Sequence, residues 1–234
     1  MPETVIHRRG PAQLALKPRI GVPLHIRLQF VAPAVTGFAT FALIGFYGAL
    51  LPNLLASSLH QSAPAIAGAV VCALFLVAAL TILSTGRLQS QAAMMSGLAL
   101  LPPSLWLLVG AQLAQSMPIL FLATAFGGIS GGFGYRGSLE VINRIAPAER
   151  RSEVVSSYMV AVFAGNSLPV IGIGVLSAAT DSLIAHIVFA ALTTILARTG
   201  GSHRHQIRAE GVIPNSGDQL GLHRHVAPSI RIVS

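Results

Sequence analysis

Five groups of residues in this sequence are of types that do chemistry. Gly128-Ile-Ser-Gly131 sets a hydroxyl among glycines, and with His186 it offers the nucleophile and base of a hydrolase. Gly132-Phe-Gly-Tyr-Arg-Gly137 has the G-x-G-x-x-G spacing of a dinucleotide-binding loop. His203 with His205, and His223 with His225, form two H-x-H pairs, a metal-binding pattern when a fold holds it in place. Arg136 and Glu140 stand four apart, so on a helix they share a face and can pair. Asn166, one turn before Pro169, puts an amide in the middle of an apolar run. The elements that carry these residues decide which matches have meaning.

Those elements are set by composition. Of 234 residues, 53% are apolar and only 9% are Asp, Glu, Lys or Arg, against about a quarter charged in a soluble domain. Between Leu28 and Tyr135, 108 consecutive residues hold one formal charge, Arg87. Water cannot wet such a surface all round, so disorder, a soluble α/β enzyme and a small disulfide-stapled domain are excluded. Cys72 has no cysteine partner in the chain. The net charge of +8 is spread over short segments between apolar runs, which reads as a topology signal and not as a nucleic-acid footprint.

A hydrocarbon core about 30 Å thick takes roughly 20 apolar residues of helix. The sequence predicts an all-α polytopic fold with six spans, near Phe30–Leu55, Pro64–Leu83, Ala92–Gly110, Pro118–Val141, Val154–Ala179 and Ser182–Thr199. Barrel strands are excluded because they are short and alternate polar with apolar, and these runs are long and apolar on every face. Residues 1–29 read as a basic cytoplasmic leader, 30–199 as the transmembrane domain and 200–234 as a disordered polar tail. The abrupt change at Gly200 fits a shift of coding frame and a tail that is not the native ending. The leader lacks the apolar centre of a cleavable signal peptide. Arg8, Arg9, Lys17, Arg19 and Arg27, then Arg87, then Arg144, Arg150 and Arg151 occupy every second connection, and the alternate ones hold no formal charge but Asp181. Both termini are therefore expected in the cytoplasm.

This frame sorts the motifs. The dinucleotide-like glycines lie inside a span with no preceding strand, and the histidine pairs lie in the tail. No cofactor or metal is expected. The fourth span holds six glycines, Gly127, Gly128, Gly131, Gly132, Gly134 and Gly137, in eleven residues. Each costs about 1 kcal/mol against Ala in a water-exposed helix, so close packing against other helices or a surface for sliding must be the reason. Pro33 and Pro52, Pro102 and Pro103, and Pro169 break or bend three other spans. Asn166 is either a partner for a carbonyl freed by Pro169 or part of a substrate path, with Pro169, Tyr47 and Asn53 as companions. Arg136, Glu140, Arg144, Glu149, Arg150, Arg151 and Glu153 read either as interfacial topology signals or as a cytoplasmic gate cluster.

Taken in order, Pro2-Glu3-Thr4 with a basic linker, the Arg87 turn, Gly131-Gly-Phe-Gly-Tyr-Arg-Gly-Ser138 through Asn143 to Ala146-Pro-Ala-Glu-Arg-Arg151, Glu153-Val-Val-Ser-Ser-Tyr158 and Asn166-Ser-Leu-Pro-Val-Ile-Gly172 resemble the carboxyl-terminal half of a major facilitator superfamily transporter. The likeness covers about residues 2–197. It implies two inverted three-helix repeats, half of a bundle that rocks around a midplane site, and a bacterial inner-membrane permease or efflux carrier for a small molecule. It departs from the family in having no first half. A second copy or a separate six-helix chain would supply the other wall; otherwise the chain is a non-transporting remnant or partner protein. A rival reading is the rhomboid intramembrane serine protease, which Ser130 and His186 resemble. Against it, the second span offers no His or Asn for an oxyanion site and the first loop no Trp-Arg. The chain is expected not to be an enzyme. No carboxylate stands near the midplane to carry a proton.

Overall fold

The computed structural model describes residues 21–61, 63–86 and 88–209. The leader's cations up to Arg19, the turn residue Arg87 and the pair His223/His225 lie outside the described residues. Among the described residues the backbone is helical, with no strand. A 3-10 turn at Leu24–Ile26 leads into α1 (Arg27–Ala49), followed by α2 (Leu51–Ser58), α3 (Pro64–Ser84), α4 (Ser90–Leu113) and α5 (Met117–Ile145). A second 3-10 turn, Ala148–Arg150, opens α6 (Arg151–Ala179), and α7 (Ser182–Ala209) follows. All but α2 are long and apolar enough to cross a membrane, which makes the expected six.

Two span boundaries depart clearly from the sequence reading. The first span, expected through Leu55, stops at Ala49 and restarts as α2 after Leu50. Pro52 is the cause. It has no N–H to give and its ring clashes with the carbonyl one turn back, so it is placed at the start of a new helix, where neither matters. The last helix, expected to end at Thr199, continues to Ala209. Gly200 is a poor helix former, but here it is buried against Val35 of α1 and Leu98 of α4, and packing overrides propensity. Pro33, Pro102, Pro103 and Pro169 each sit inside one continuous helix.

Helix α1 is the hub, packed on α4, α5, α6 and α7. Helix α3 leans on α5, and α6 leans on α1. The second span thus packs on the fourth as the fifth packs on the first. Among the described residues the apolar core has two large parts and a small third one of Ala32, Met94 and Val141. Leu43, Phe46, Tyr47, Leu105, Leu120 and Phe189 fill the end away from the arginines, and Ile26, Ile142, Val154, Tyr158 and Val162 fill the arginine-bearing end. Burial is uneven: 61% of the apolar stretch of the first span is buried, but only 22% in α3 and 17% in α6.

Glycines let these helices meet backbone to backbone. A methyl group on Gly97 of α4 would fall 2.7 Å from the Gly134 Cα of α5, and one on Gly137 would fall 2.8 Å from the Met94 Cα. On another face of α5, Gly128 and Gly132 lie against the carbonyls of Leu74 and Ala78 in α3. The α1–α6 crossing is built likewise, with Gly45 against the Asn166 carbonyl and Gly165 against the backbone of Phe38. Lipid gives no hydrophobic drive to helix association, so such contacts must supply it. Gly131 is different: nothing lies within 4 Å of a methyl placed there. Gly97→Ala is expected to destabilise the bundle by about 1–3 kcal/mol through overpacking. Gly131→Ala is expected to be neutral or to stabilise by up to about 1 kcal/mol through better helix propensity. Melting curves in mild detergent compare the two, and equal losses would contradict this packing.

Candidate functional site

The charged residues gather at one end of the bundle, where α1 and α6 begin and α3 and α5 end. Arg136 comes from the last third of α5 and reaches across to the carboxyl end of α3. Its guanidinium donates to the Thr85 carbonyl, to Thr85 Oγ1 at 3.1 Å and to the Gly86 carbonyl at 3.0 Å. These carbonyls end α3 and have no helical donor of their own, so a planar cation is well matched to them. Thr85 is held in turn by Thr81, whose carbonyl accepts both its N–H and its hydroxyl. Glu140, one turn on, lies 3.9 Å from Arg136 and 3.7 Å from Arg144.

The expected gate cluster therefore divides. Arg136, Glu140 and Arg144 form a chain of charges along α5. Glu149, Arg150, Arg151 and Glu153 sit on the α5–α6 turn and the start of α6, and among the described residues none of them makes an ion pair within 4.0 Å. Hidden from the sequence is that the main partners of Arg136 are carbonyls of another helix. The signal available is an arginine facing inward on a glycine-rich helix, two turns before the apolar run ends.

The expected substrate-path residues also part company. Asn166 is half-buried on α6, facing a groove of about 500 Å3 between α1, α3 and α6. Gly45, Gly48, Val71, Phe75, Ser167 and Val170 share its walls. The Asn166 side chain makes no hydrogen bond to another described residue, and the carbonyl freed by Pro169 is not its partner. Pro169 is half-buried next to it on α6. Tyr47 lies elsewhere: it is 1% exposed, and its hydroxyl is 3.3 Å from Thr124 Oγ1. Asn53 is exposed on α2, its carbonyl accepting from Ser57. Asn166 alone of the polar candidates opens on the groove.

The hydrolase pair is not assembled. Ser130 is buried and donates to the Gly97 carbonyl at 2.8 Å, tying α5 to α4. His186 is buried on α7, with Nδ1 2.8 Å from Gln112 Oε1 of α4 and its ring edge-on to Phe46. Ser138 and Tyr158 join α5 to α6 through a 2.6 Å hydrogen bond. Each of these polar groups has its partner on a neighbouring helix, as burial away from water requires. Nothing local in the sequence hints at the His186–Gln112 and Ser138–Tyr158 pairings, because partners so far apart in the chain leave no pattern. Among the described residues no three metal-ligating side chains come together.

No family model, curated protein or solved structure matches this chain. Residue geometry alone therefore carries the functional reading.

Arg136→Met keeps the apolar stem and removes the fork that holds the end of α3. It is expected to lose about 1.5–3 kcal/mol of stability, the worth of hydrogen bonds to a charged group, and to speed hydrogen exchange in residues 81–86. Arg144→Met removes only an exposed ion pair and is expected to stay within about 1 kcal/mol of the parent. Equal effects of the two substitutions would contradict the capping role.

Proposed function

We propose that this chain is one six-helix body of a facilitator-type secondary transporter that moves a small solute across a bacterial inner membrane. The carrying observation is the Asn166 groove. An amide without a hydrogen-bond partner in the apolar zone costs free energy unless water, a solute or another protein group meets it. The groove that meets it is bordered by α3 and α6, the two least buried spans. A second six-helix body closes the open side and turns the groove into a cavity. The packing of α3 on α5 and of α6 on α1 supports two inverted three-helix repeats.

In this reading the arginine-bearing end faces the cytoplasm, since cationic turns are retained there, and both termini lie on that side. Solute binds at Asn166, between the α1–α6 crossing and the face of α3. Arg136 links the cytoplasmic end of α3 to α5, so movement of that end is resisted by the fork of hydrogen bonds until the gate opens. The glycine faces of α5 leave no side chains to catch as its neighbours shift.

Cysteine chemistry tests the path without knowledge of the solute. In a Cys72→Ser background, Asn166→Cys is expected to react with a charged, water-soluble maleimide in membranes. Leu168→Cys, which is exposed on the same helix, faces hydrocarbon and is expected to stay unreacted. Equal inertness of the two positions would remove Asn166 from any aqueous path.

A further inference from the structure

A second cavity lies at the arginine-bearing end, apart from the groove. It is a cleft of about 750 Å3 between the segment entering α1 and the turn entering α6. Among the described residues its charged lining is Arg27 and Arg150 against Glu149 and Glu153, with His25 beside them. Two features set it apart. The formal charges of the arginines and glutamates cancel, so the lining favours neither a simple anion nor a simple cation. And none of these groups neutralises another: the ion pairs within 4.0 Å among the described residues both belong to Glu140. Arg27 commits only its Nε–H, to the Val22 carbonyl at 3.3 Å, which leaves its terminal nitrogens free to donate.

The cleft is also a formed one. The Gly21 N–H donates to Ser157 Oγ at 3.1 Å, and Ser157 donates to the Glu153 carbonyl at 2.9 Å, so the entering segment is tied to α6. Buried Ile26 anchors the same segment against Ile142 and Val154. Leu24, itself part of the lining, is 77% exposed, and Leu28, four residues on in α1, is 69% exposed. Large apolar side chains beside a charged cleft at the end of a span mark the level where headgroups give way to acyl chains.

From these features we infer that the cleft binds the headgroup of a zwitterionic membrane lipid carrying a primary ammonium, of which phosphatidylethanolamine is the prototype. The guanidiniums of Arg27 and Arg150 hold the phosphate, and the carboxylates of Glu149 and Glu153 accept from the ammonium, both as charge-assisted hydrogen bonds. A quaternary ammonium has no N–H to give those carboxylates, and a purely anionic headgroup would face two of them. Leu24 and Leu28 lie along the acyl chains. The inference rests on the membrane reading alone and stands whether or not the chain transports a solute.

The test is the thermal stability of the full chain in detergent, titrated with phosphatidylethanolamine, phosphatidylcholine, phosphatidylglycerol or free phosphoethanolamine. Phosphatidylethanolamine is expected to raise the melting temperature, and the other three to do little. In Glu149→Gln/Glu153→Gln and in Arg27→Gln/Arg150→Gln, the lipid concentration giving half the effect should rise about tenfold or more, as for loss of one charge-assisted contact. All four side chains are at least partly exposed, and the one described hydrogen bond lost, from Arg27 Nε–H to the Val22 carbonyl, is exposed as well, so the lipid-free melting temperature should move little, and that baseline reports on folding. An equal response to phosphatidylglycerol, or a phosphatidylethanolamine response unchanged in both variants, would overturn the proposal. Equal protection by free phosphoethanolamine would overturn the assignment to a lipid.

Discussion

Hydrocarbon can neither donate nor accept a hydrogen bond, and this chain is organised by that fact. Each spanning segment must satisfy its own backbone, so it is a helix from one interface to the other. Side chains cannot be driven together by escape from water, because lipid tails are as apolar as leucine. What remains is contact. The helices approach until backbone meets backbone, at Gly97 and Gly134, at Gly45 and Asn166, and at Gly165 and Phe38. Several buried polar groups find partners across those seams, as Ser130 finds Gly97, Ser138 finds Tyr158 and His186 finds Gln112.

The same constraint explains why the exceptions carry information. Arg136 is a cation placed where α3 runs out of donors, and it resolves two problems together: its own charge and the open carbonyls of Thr85 and Gly86. Asn166 resolves neither, since its amide faces a groove. Among the described residues the buried hydroxyls of Ser90 and Ser182 also lack a partner, but Asn166 differs from both in lining an open groove. The uneven burial of α3 and α6 points to the same side of the molecule.

The number of spans is legible in the sequence because hydropathy is a local property, summed over about 20 residues. The glycine cluster of α5 is legible as a packing surface for a similar reason: six glycines in one helix weaken it unless close neighbours make up the loss. Its partition among α1, α3 and α4 is not legible, nor the exemption of Gly131, because both depend on which helix lies opposite. Gly37, Gly45, Gly97 and Gly165 pack as closely but are scattered, so no cluster announces them. Pro52 reads as a feature within the first span, although a proline so near the end of an apolar run is better placed at the start of a new helix, as α2 shows. Tyr47 stands out as a polar tip in a span, yet its hydroxyl is bonded to Thr124. A residue's type limits what it can bond to, and only the fold selects the partner.

Lipid surrounding most of this chain, crossed by it six times, is the claim from which all else follows. Single cysteines at Gln61, Leu88, Gln115, Ala148 and Asp181, one per turn in a Cys72→Ser background, can be labelled with an impermeant thiol reagent in sealed vesicles of each orientation. Leu88 and Ala148 are predicted to label from one side, and Gln61, Gln115 and Asp181 from the other. Two successive turns labelled from the same side, or all five labelled from both, would contradict six crossings.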